Sequence, residues 1–147
     1  MGLEGQGVVL LVEDDADHAA LVMRSFEEYG VPAEIRHVSD GEEALSYLYK
    51  RGVYADSPRP DLILLDLRLP KLDGIEVLRE IKHAETLQRI PAVILTTSDA
   101  ERDLRRAYAE HANSYLVKPV DYAHFSRMMD SLGLYWLSLN RHPSVPN

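Results

Sequence analysis

Leu62-Ile63-Leu64-Leu65-Asp66 sets four consecutive apolar residues against a single acid. A run so short and unbroken reads as a strand buried on both faces, with the acid marking where the chain leaves the core. Upstream, Val8-Val9-Leu10-Leu11-Val12 runs into Glu13-Asp14-Asp15 in the same manner. Downstream, Val93-Ile94-Leu95 runs into Thr96-Thr97, and the shorter Tyr115-Leu116-Val117 into Lys118-Pro119. Ile35 to Val38 is a weaker strand, placed near a sheet edge.

The intervening segments carry helical spacing. Ala19, Val22 and Phe26 share one face of a first helix, with Asp15 as its N-cap. Ala44, Leu45 and Leu48 mark a second, opened by Asp40 with Glu43 three residues on. Ile75, Leu78 and Ile81 mark a third, and Leu104, Ala107, Tyr108 and His111 a fourth. Asp121 caps a fifth that carries Phe125, Met128, Met129 and Leu132 on one face. Strand followed by helix, five times over, implies parallel pairing through right-handed crossovers. The fold class is therefore α/β, a doubly wound five-stranded parallel sheet with helices on both faces. In such folds the working crevice lies outside the carboxyl ends of the strands.

Composition sets the outer limits. The 147 residues suit one ordinary domain, and 46% apolar residues can fill one core. A net charge of −8 disfavours direct nucleic-acid binding. No apolar run is long enough to span a bilayer, and residues 1–6 do not read as an export signal. Cysteine is absent, which excludes disulfides and thiolate metal sites. Cytoplasmic residence is the default expectation. The six histidines, His18, His37, His83, His111, His124 and His142, show no ligand spacing toward one another and read as surface or helix-flank residues.

The strand-end rule brings Glu13, Asp14, Asp15, Asp66, Thr96, Thr97 and Lys118 to one edge of the sheet. Crowded carboxylates repel one another, and a divalent cation relieves the repulsion. An all-oxygen donor set suits Mg2+. A carboxylate nucleophile, a metal, an ammonium and a hydroxyl together are what phosphoryl transfer requires, because positioning and charge stabilisation do most of its work. Taken singly, each residue has a plainer reading. Acids after a strand are often helix caps, Thr-Thr is ordinary strand composition, and Lys-Pro is common in loops. Their joint occurrence at four strand ends favours the chemical reading.

Over about residues 7–132 the chain resembles bacterial two-component receiver domains, whose fold is flavodoxin-like and CheY-like (βα)5. The matching segments are Leu11-Val12-Glu13-Asp14-Asp15, Leu65-Asp66, Leu69-Pro70, Asp73-Gly74, Leu95-Thr96-Thr97-Ser98 and Tyr115-Leu116-Val117-Lys118-Pro119. The resemblance implies that Asp66 is the phosphoacceptor, phosphorylated by a sensor histidine kinase. It implies that Asp14 binds Mg2+ directly and Glu13 through water, with Asp66 and the Arg68 backbone carbonyl completing the protein's share. Thr96 and Lys118 would contact the phosphoryl group, the Lys118–Pro119 bond would be cis, and Thr96 and Tyr115 would form the switch. Such a protein is a phosphorylation substrate that assists its own phosphorylation and dephosphorylation, rather than an enzyme.

A longer connection before the third strand, Tyr47-Leu48 through Gly52-Val53-Tyr54 to Pro58-Arg59-Pro60, joins Ala112-Asn113-Ser114-Tyr115 and Trp136-Leu137 in a narrower likeness. These features resemble single-domain response regulators that serve phytochrome-type histidine kinases, which implies a bacteriophytochrome as donor. The same connection also reads as a longer surface loop with no partner role. Arg68 departs from that subgroup, which usually has Asn there. Its side chain, together with the bulk of Thr97, is expected to alter water's access to the phosphoryl group.

Residues 1–132 thus form the expected receiver and residues 133–147 a C-terminal extension. The fifth helix is expected to run on through Leu134, Tyr135, Trp136, Leu137 and Leu139 until His142-Pro143, with Gly133 as a possible kink. This stretch is more apolar than an exposed tail. It either packs on its own domain or forms a two-fold homodimer with the neighbouring face of the fourth and fifth helices. The tail is too short for an output domain, so output would be protein contact or onward phosphotransfer.

Three rival classes share features of this pattern. A haloacid-dehalogenase phosphatase needs a second acid two residues after its nucleophile, and that position is Arg68. A flavodoxin would need its first loop to hold a phosphate, which Glu13-Asp14-Asp15 repels. A pseudo-receiver binding module of the same fold is the remaining alternative, although this chain keeps every acid and the lysine.

Overall fold

The computed structural model describes residues 7–28 and 32–141. Residues 1–6 and the His142-Pro143 stop lie outside the described residues. The elements are β1 (Gly7–Val12), α1 (Ala16–Glu28), β2 (Ala33–Val38), α2 (Gly41–Leu48), a 3-10 turn (Gly52–Tyr54), β3 (Leu62–Leu65), α3 (Gly74–His83), β4 (Ala92–Thr96), α4 (Glu101–Ala109), β5 (Ser114–Val117) and α5 (Tyr122–Gly133). α5 runs into a π-helical turn (Leu134–Leu139). All pairings are parallel, in the order β2-β1-β3-β4-β5.

Side chains alternate across the strands and divide the core into two layers. Leu10 and Val12 of β1, Ile63 and Leu65 of β3, and Ile94 of β4 pack with α2, α3 and Ala107 of α4. Val9, Leu11, Leu62, Leu64, Val93 and Leu95 face α1 and α5 instead. This two-sided burial is why β1 and β3 read as unbroken apolar runs. β2 and β5 lie at the sheet edges and are only partly buried, hence their weaker patterns. The order of winding reverses between β1 and β3, and there the crevice of a doubly wound sheet opens.

The capping expectations hold. Asp15 accepts from the backbone N–H groups of Asp17 and His18 at 2.9 and 3.2 Å, Asp40 from Glu43 at 2.8 Å, and Asp121 from His124 at 2.9 Å. α4 departs from its expected face. Ala107 is buried, but Tyr108 is half exposed and Asp103 is buried in its stead. His111 lies beyond the helix, at φ +69°. The His111 N–H donates to the Tyr108 carbonyl and the Ala112 N–H to the Ala107 carbonyl, the two bonds of a Schellman stop. Lys50 ends α2 by the same geometry at φ +56°.

Gly133 does not kink the tail. Its φ of −63° and ψ of −45° are helical. A Cβ there would stand 3.0 Å from Phe26 Cε1, so glycine serves the close approach of α5 to α1. Beyond it Trp136 and Leu137 fold back on the α1–α5 layer, while Leu134, Tyr135 and Leu139 remain exposed.

Residues 47–60 pack rather than hang free. The Tyr47 hydroxyl donates to the Pro58 carbonyl at 2.8 Å, and its ring lies 5.2 Å from that of Tyr54. The Tyr54 hydroxyl donates to Glu43 at 2.5 Å; burial and this carboxylate push its pKa up to about 12. A cavity of about 610 Å3 lies at the amino ends of β3 and β4, between this segment and the stretch before β4.

Candidate functional site

The backbone ladder continues past the strand ends and holds the functional groups. Glu13 N–H donates to the Val38 carbonyl, Asp66 N–H to Val12 and Lys118 N–H to Thr96, all within 3.1 Å. Glu13, Asp66, Thr96 and Lys118 are thereby fixed at neighbouring strand ends, and all four are buried. Asp14 stays exposed at the rim. Ligand oxygens of Glu13, Asp14 and Asp66 lie within 4.8 Å of one another.

Lys118 is the electrostatic centre. Its Nζ donates to Glu13 Oε1 at 2.5 Å, to His18 Nδ1 at 2.9 Å and to Asp66 Oδ2 at 3.3 Å. Burial pushes the Glu13 carboxyl up from its ordinary value; the Lys118 hydrogen bond opposes this, and the Asp66 charge adds to it. Three carboxylates against one ammonium leave the pocket with about two uncompensated negative charges when all are ionised. An all-oxygen cluster with that charge fits a hard divalent cation.

The residues around this centre divide into neighbours and bystanders. Arg68 follows Asp66 with its backbone N 3.4 Å from Asp66 Oδ1, while its side chain is exposed. Thr97 is exposed. Thr96 is fully buried, and its Oγ1 accepts from the Ser98 N–H at 3.3 Å. From there a polar chain leads outward. The Tyr115 hydroxyl donates to the Ser98 carbonyl at 2.9 Å, the Ser98 hydroxyl donates to Asp103 Oδ2 at 2.6 Å, and Arg68 pairs with the same carboxylate at 3.9 Å. Tyr115 is half-buried, and burial raises its phenol above its ordinary pKa.

The Lys118–Pro119 bond is trans, not cis. Trans is the intrinsically preferred isomer by about 0.5–1 kcal/mol, so this bond follows the backbone's own preference.

His18, expected at the surface or on a helix flank, lies partly exposed on α1, but its contact with Lys118 is what sequence reasoning misses. A histidine in the first turn of a helix carries no signal that it will meet a lysine 100 positions later. Gly74 belonged to a matched motif without a physical reason, and the structure supplies one. A Cβ at Gly74 would come within 2.3 Å of the Asp66 carbonyl oxygen. Asp103 and Ser98 were also unmarked as a linked pair.

A parallel (βα)5 domain with an acidic, cation-suited pocket beside a buried lysine is the class of molecule that fold and site define. The sequence model of the response regulator receiver domain matches residues 9–130, and the chain belongs to that family. It is 49% identical to the probable methanogenesis regulatory protein FilR2 of Methanothrix harundinacea, over 92% of this chain and 87% of that one. It is 43% identical to the response regulator Rcp1 of a Synechocystis strain, over 94% of each. Among solved structures, the phosphorylated cyanobacterial phytochrome response regulator RcpA superposes with a TM-score of 0.90 at 42% identity, covering 95% of this chain and 99% of that one. The Mn2+-bound form of Rcp1 does so at 0.87 and 41%, covering 94% and 99%. The chain is therefore a response-regulator receiver with a divalent-cation site, from a family of kinase-phosphorylated signalling domains. Among the described residues no helix is long and apolar enough to cross a membrane.

Proposed function

We propose that the protein accepts a phosphoryl group on Asp66 from a phytochrome-type sensor histidine kinase, in a Mg2+-dependent reaction. The observation that carries this is the Asp66 carboxylate, held between a buried ammonium and two further acids at the crevice of the sheet. An Asp66 oxygen attacks the phosphorus of the donor phosphohistidine, an O–P bond forms, and the N–P bond breaks to release the imidazole. Asp14, Asp66, the Arg68 backbone carbonyl and, through water, Glu13 would hold Mg2+. The ion supplies charge neutralisation for the transferring phosphoryl oxygens. Lys118 contributes an ammonium and Thr96 a hydroxyl to the same oxygens.

Output follows from release of the polar chain on phosphorylation. Thr96 leaves the Ser98 N–H for the phosphoryl group, Tyr115 moves inward, and the α4–β5–α5 face changes shape. The protein assists its own phosphorylation and dephosphorylation but turns over no external substrate. Arg68 and Thr97 flank the site on its exposed side, so Arg68→Asn and Thr97→Ala change the phosphorylated lifetime; unchanged lifetimes in both would remove them as modulators. Residues 1–132 act as the receiver. Residues 133–147 act as the C-terminal extension, and its exposed Leu134, Tyr135 and Leu139 form a homodimer surface together with the α4–α5 face. A solution mass that stays monomeric at every concentration, phosphorylated or not, would exclude the dimer. Cytoplasmic residence completes the proposal.

The phytochrome assignment draws on the RcpA and Rcp1 likenesses. The 49% identity to a methanogenesis regulator favours a second reading, in which the donor kinase senses something other than light. Phosphotransfer profiling against a panel that includes phytochrome-type kinases separates the two. Intact-mass analysis after incubation with acetyl phosphate and Mg2+ tests the acceptor: one phosphoryl group is expected on the wild type and none on Asp66→Asn. Equal uptake by both would assign the acceptor elsewhere, and no uptake by either would favour the pseudo-receiver.

A further inference from the structure

Lys118 carries three ammonium protons into a place with almost no water, since its side chain is only 3% exposed. A buried ammonium needs an acceptor for each proton. Glu13 and Asp66 supply two, and His18 Nδ1 supplies the third at 2.9 Å. An ammonium has no lone pair, so the ring nitrogen accepts, and the ring proton sits on Nε2. That nitrogen lies 3.9 Å from Asp15 Oδ2, a neighbour that favours the same tautomer. The backbone holds the ring in place, because Asp15 caps α1 through the N–H groups of Asp17 and His18.

We propose that His18 is a positioning residue for phosphoryl transfer, whose Nδ1 keeps the Lys118 ammonium aimed at the acceptor oxygen before and after the transfer. This rests on the reading of Asp66 as phosphoacceptor. Of the three groups that hold Lys118, two change during the reaction. Asp66 loses its carboxylate charge when its oxygen bonds to phosphorus, and Glu13 is shared with the metal. His18 is neither a metal ligand nor a reacting group, so its hydrogen bond persists through both steps. Anchored there, the ammonium exchanges Asp66 Oδ2 for a phosphoryl oxygen with little movement. Without the anchor one buried proton has no acceptor, and the ammonium relaxes toward the carboxylates and away from the incoming group.

The test uses the full chain and two substitutions at one position. His18→Leu keeps bulk and removes the acceptor. His18→Asn returns an oxygen close to the place of Nδ1. Initial rates of phosphorylation by acetyl phosphate with Mg2+ should fall about tenfold in His18→Leu, the loss of one hydrogen bond to a charged group. His18→Asn should recover most of the wild-type rate, and in a Lys118→Ala background His18→Leu should change nothing further. Independently of turnover, 15N spectra of the metal-free protein should show a slowly exchanging Lys118 ammonium in wild type and His18→Asn, and its loss in His18→Leu. Equal rates in wild type and His18→Leu, an Asn variant as slow as Leu, or an undiminished effect without Lys118 would each overturn the proposal. Wild-type protein that takes up no phosphoryl group would overturn the Asp66 assignment together with it; an active wild type with an equally active Leu variant would overturn the proposal alone.

Discussion

The acidic pocket and the α4–β5 face share one sheet and are built in opposite ways. The pocket hangs from β1 and β3, central strands whose residues before the acids are almost fully buried on both sides. The other face is carried by an edge strand of three partly buried residues and one exposed residue, and by a helix whose first turn is tied through Ser98 and Asp103. Val117, Val120 and Tyr108 stand in solvent there. Charges that must stay a few ångströms apart need a rigid support. A surface that must change shape needs few apolar contacts and a small number of exchangeable hydrogen bonds. The chain Thr96–Ser98–Tyr115 connects the two, and it is the route the proposed switch would use.

The sharpest way to break this contrast is to cut each region equally. Leu65→Ala, in the buried strand behind Asp66, should cost about 2–5 kcal/mol in urea unfolding, whereas Val117→Ala on the face should stay within about 0.5 kcal/mol. Similar losses at both positions would contradict the division. Next in size is Gly74→Ala. Its Cβ collides with the Asp66 backbone, so the change should cost about 1–3 kcal/mol and weaken divalent-cation binding at the same time. Cation affinity unchanged beside lost stability would detach Gly74 from the site.

A smaller effect of opposite sign is expected at the rim. Asp14→Asn removes one of three mutually repelling carboxylates, so the metal-free protein should gain about 1 kcal/mol while Mg2+ affinity collapses. Calorimetry with and without Mg2+ reads both. The pH dependence sharpens the same point. Glu13 has a folded-state pKa above its unfolded value, so the folded state binds more protons in that window. Its contribution to metal-free stability is therefore fullest below about pH 4.5 and is lost as pH rises through the raised folded value. Asp15, lowered mainly by its hydrogen bond from the His18 backbone, works the other way and stabilises above its ordinary value. Bound Mg2+ should flatten the loss due to Glu13; a loss that persists at saturating Mg2+ would place the ion elsewhere.

The same contrast decided what could be read from sequence. Central strands need both faces apolar, so β1, β3 and β4 announced themselves, and the strand-end rule then gathered Glu13, Asp14, Asp66, Thr96 and Lys118. Caps such as Asp40 and Asp121 were legible because their hydrogen bonds are local. What stayed hidden depends on distant partners. His18 meets Lys118 only when α1 packs on α5 and its first turn reaches the loop after β5. Gly133 is small because Phe26 lies against it. The burial of Asp103 in place of Tyr108 follows from Ser98 and Arg68, and no helical period encodes that. His111 falls in the helical period, and its left-handed backbone leaves no trace in residue type.

The most direct measurement is chemical localisation of the phosphoryl group. The protein would be treated with Mg2+ and acetyl phosphate, reduced with borohydride to convert any acyl phosphate to homoserine, digested and sequenced by tandem mass spectrometry. Homoserine at position 66 alone, dependent on Mg2+, is the expected result. Homoserine at another aspartate, or at none while the protein is folded and the cation bound, would contradict the assignment on which the mechanism stands.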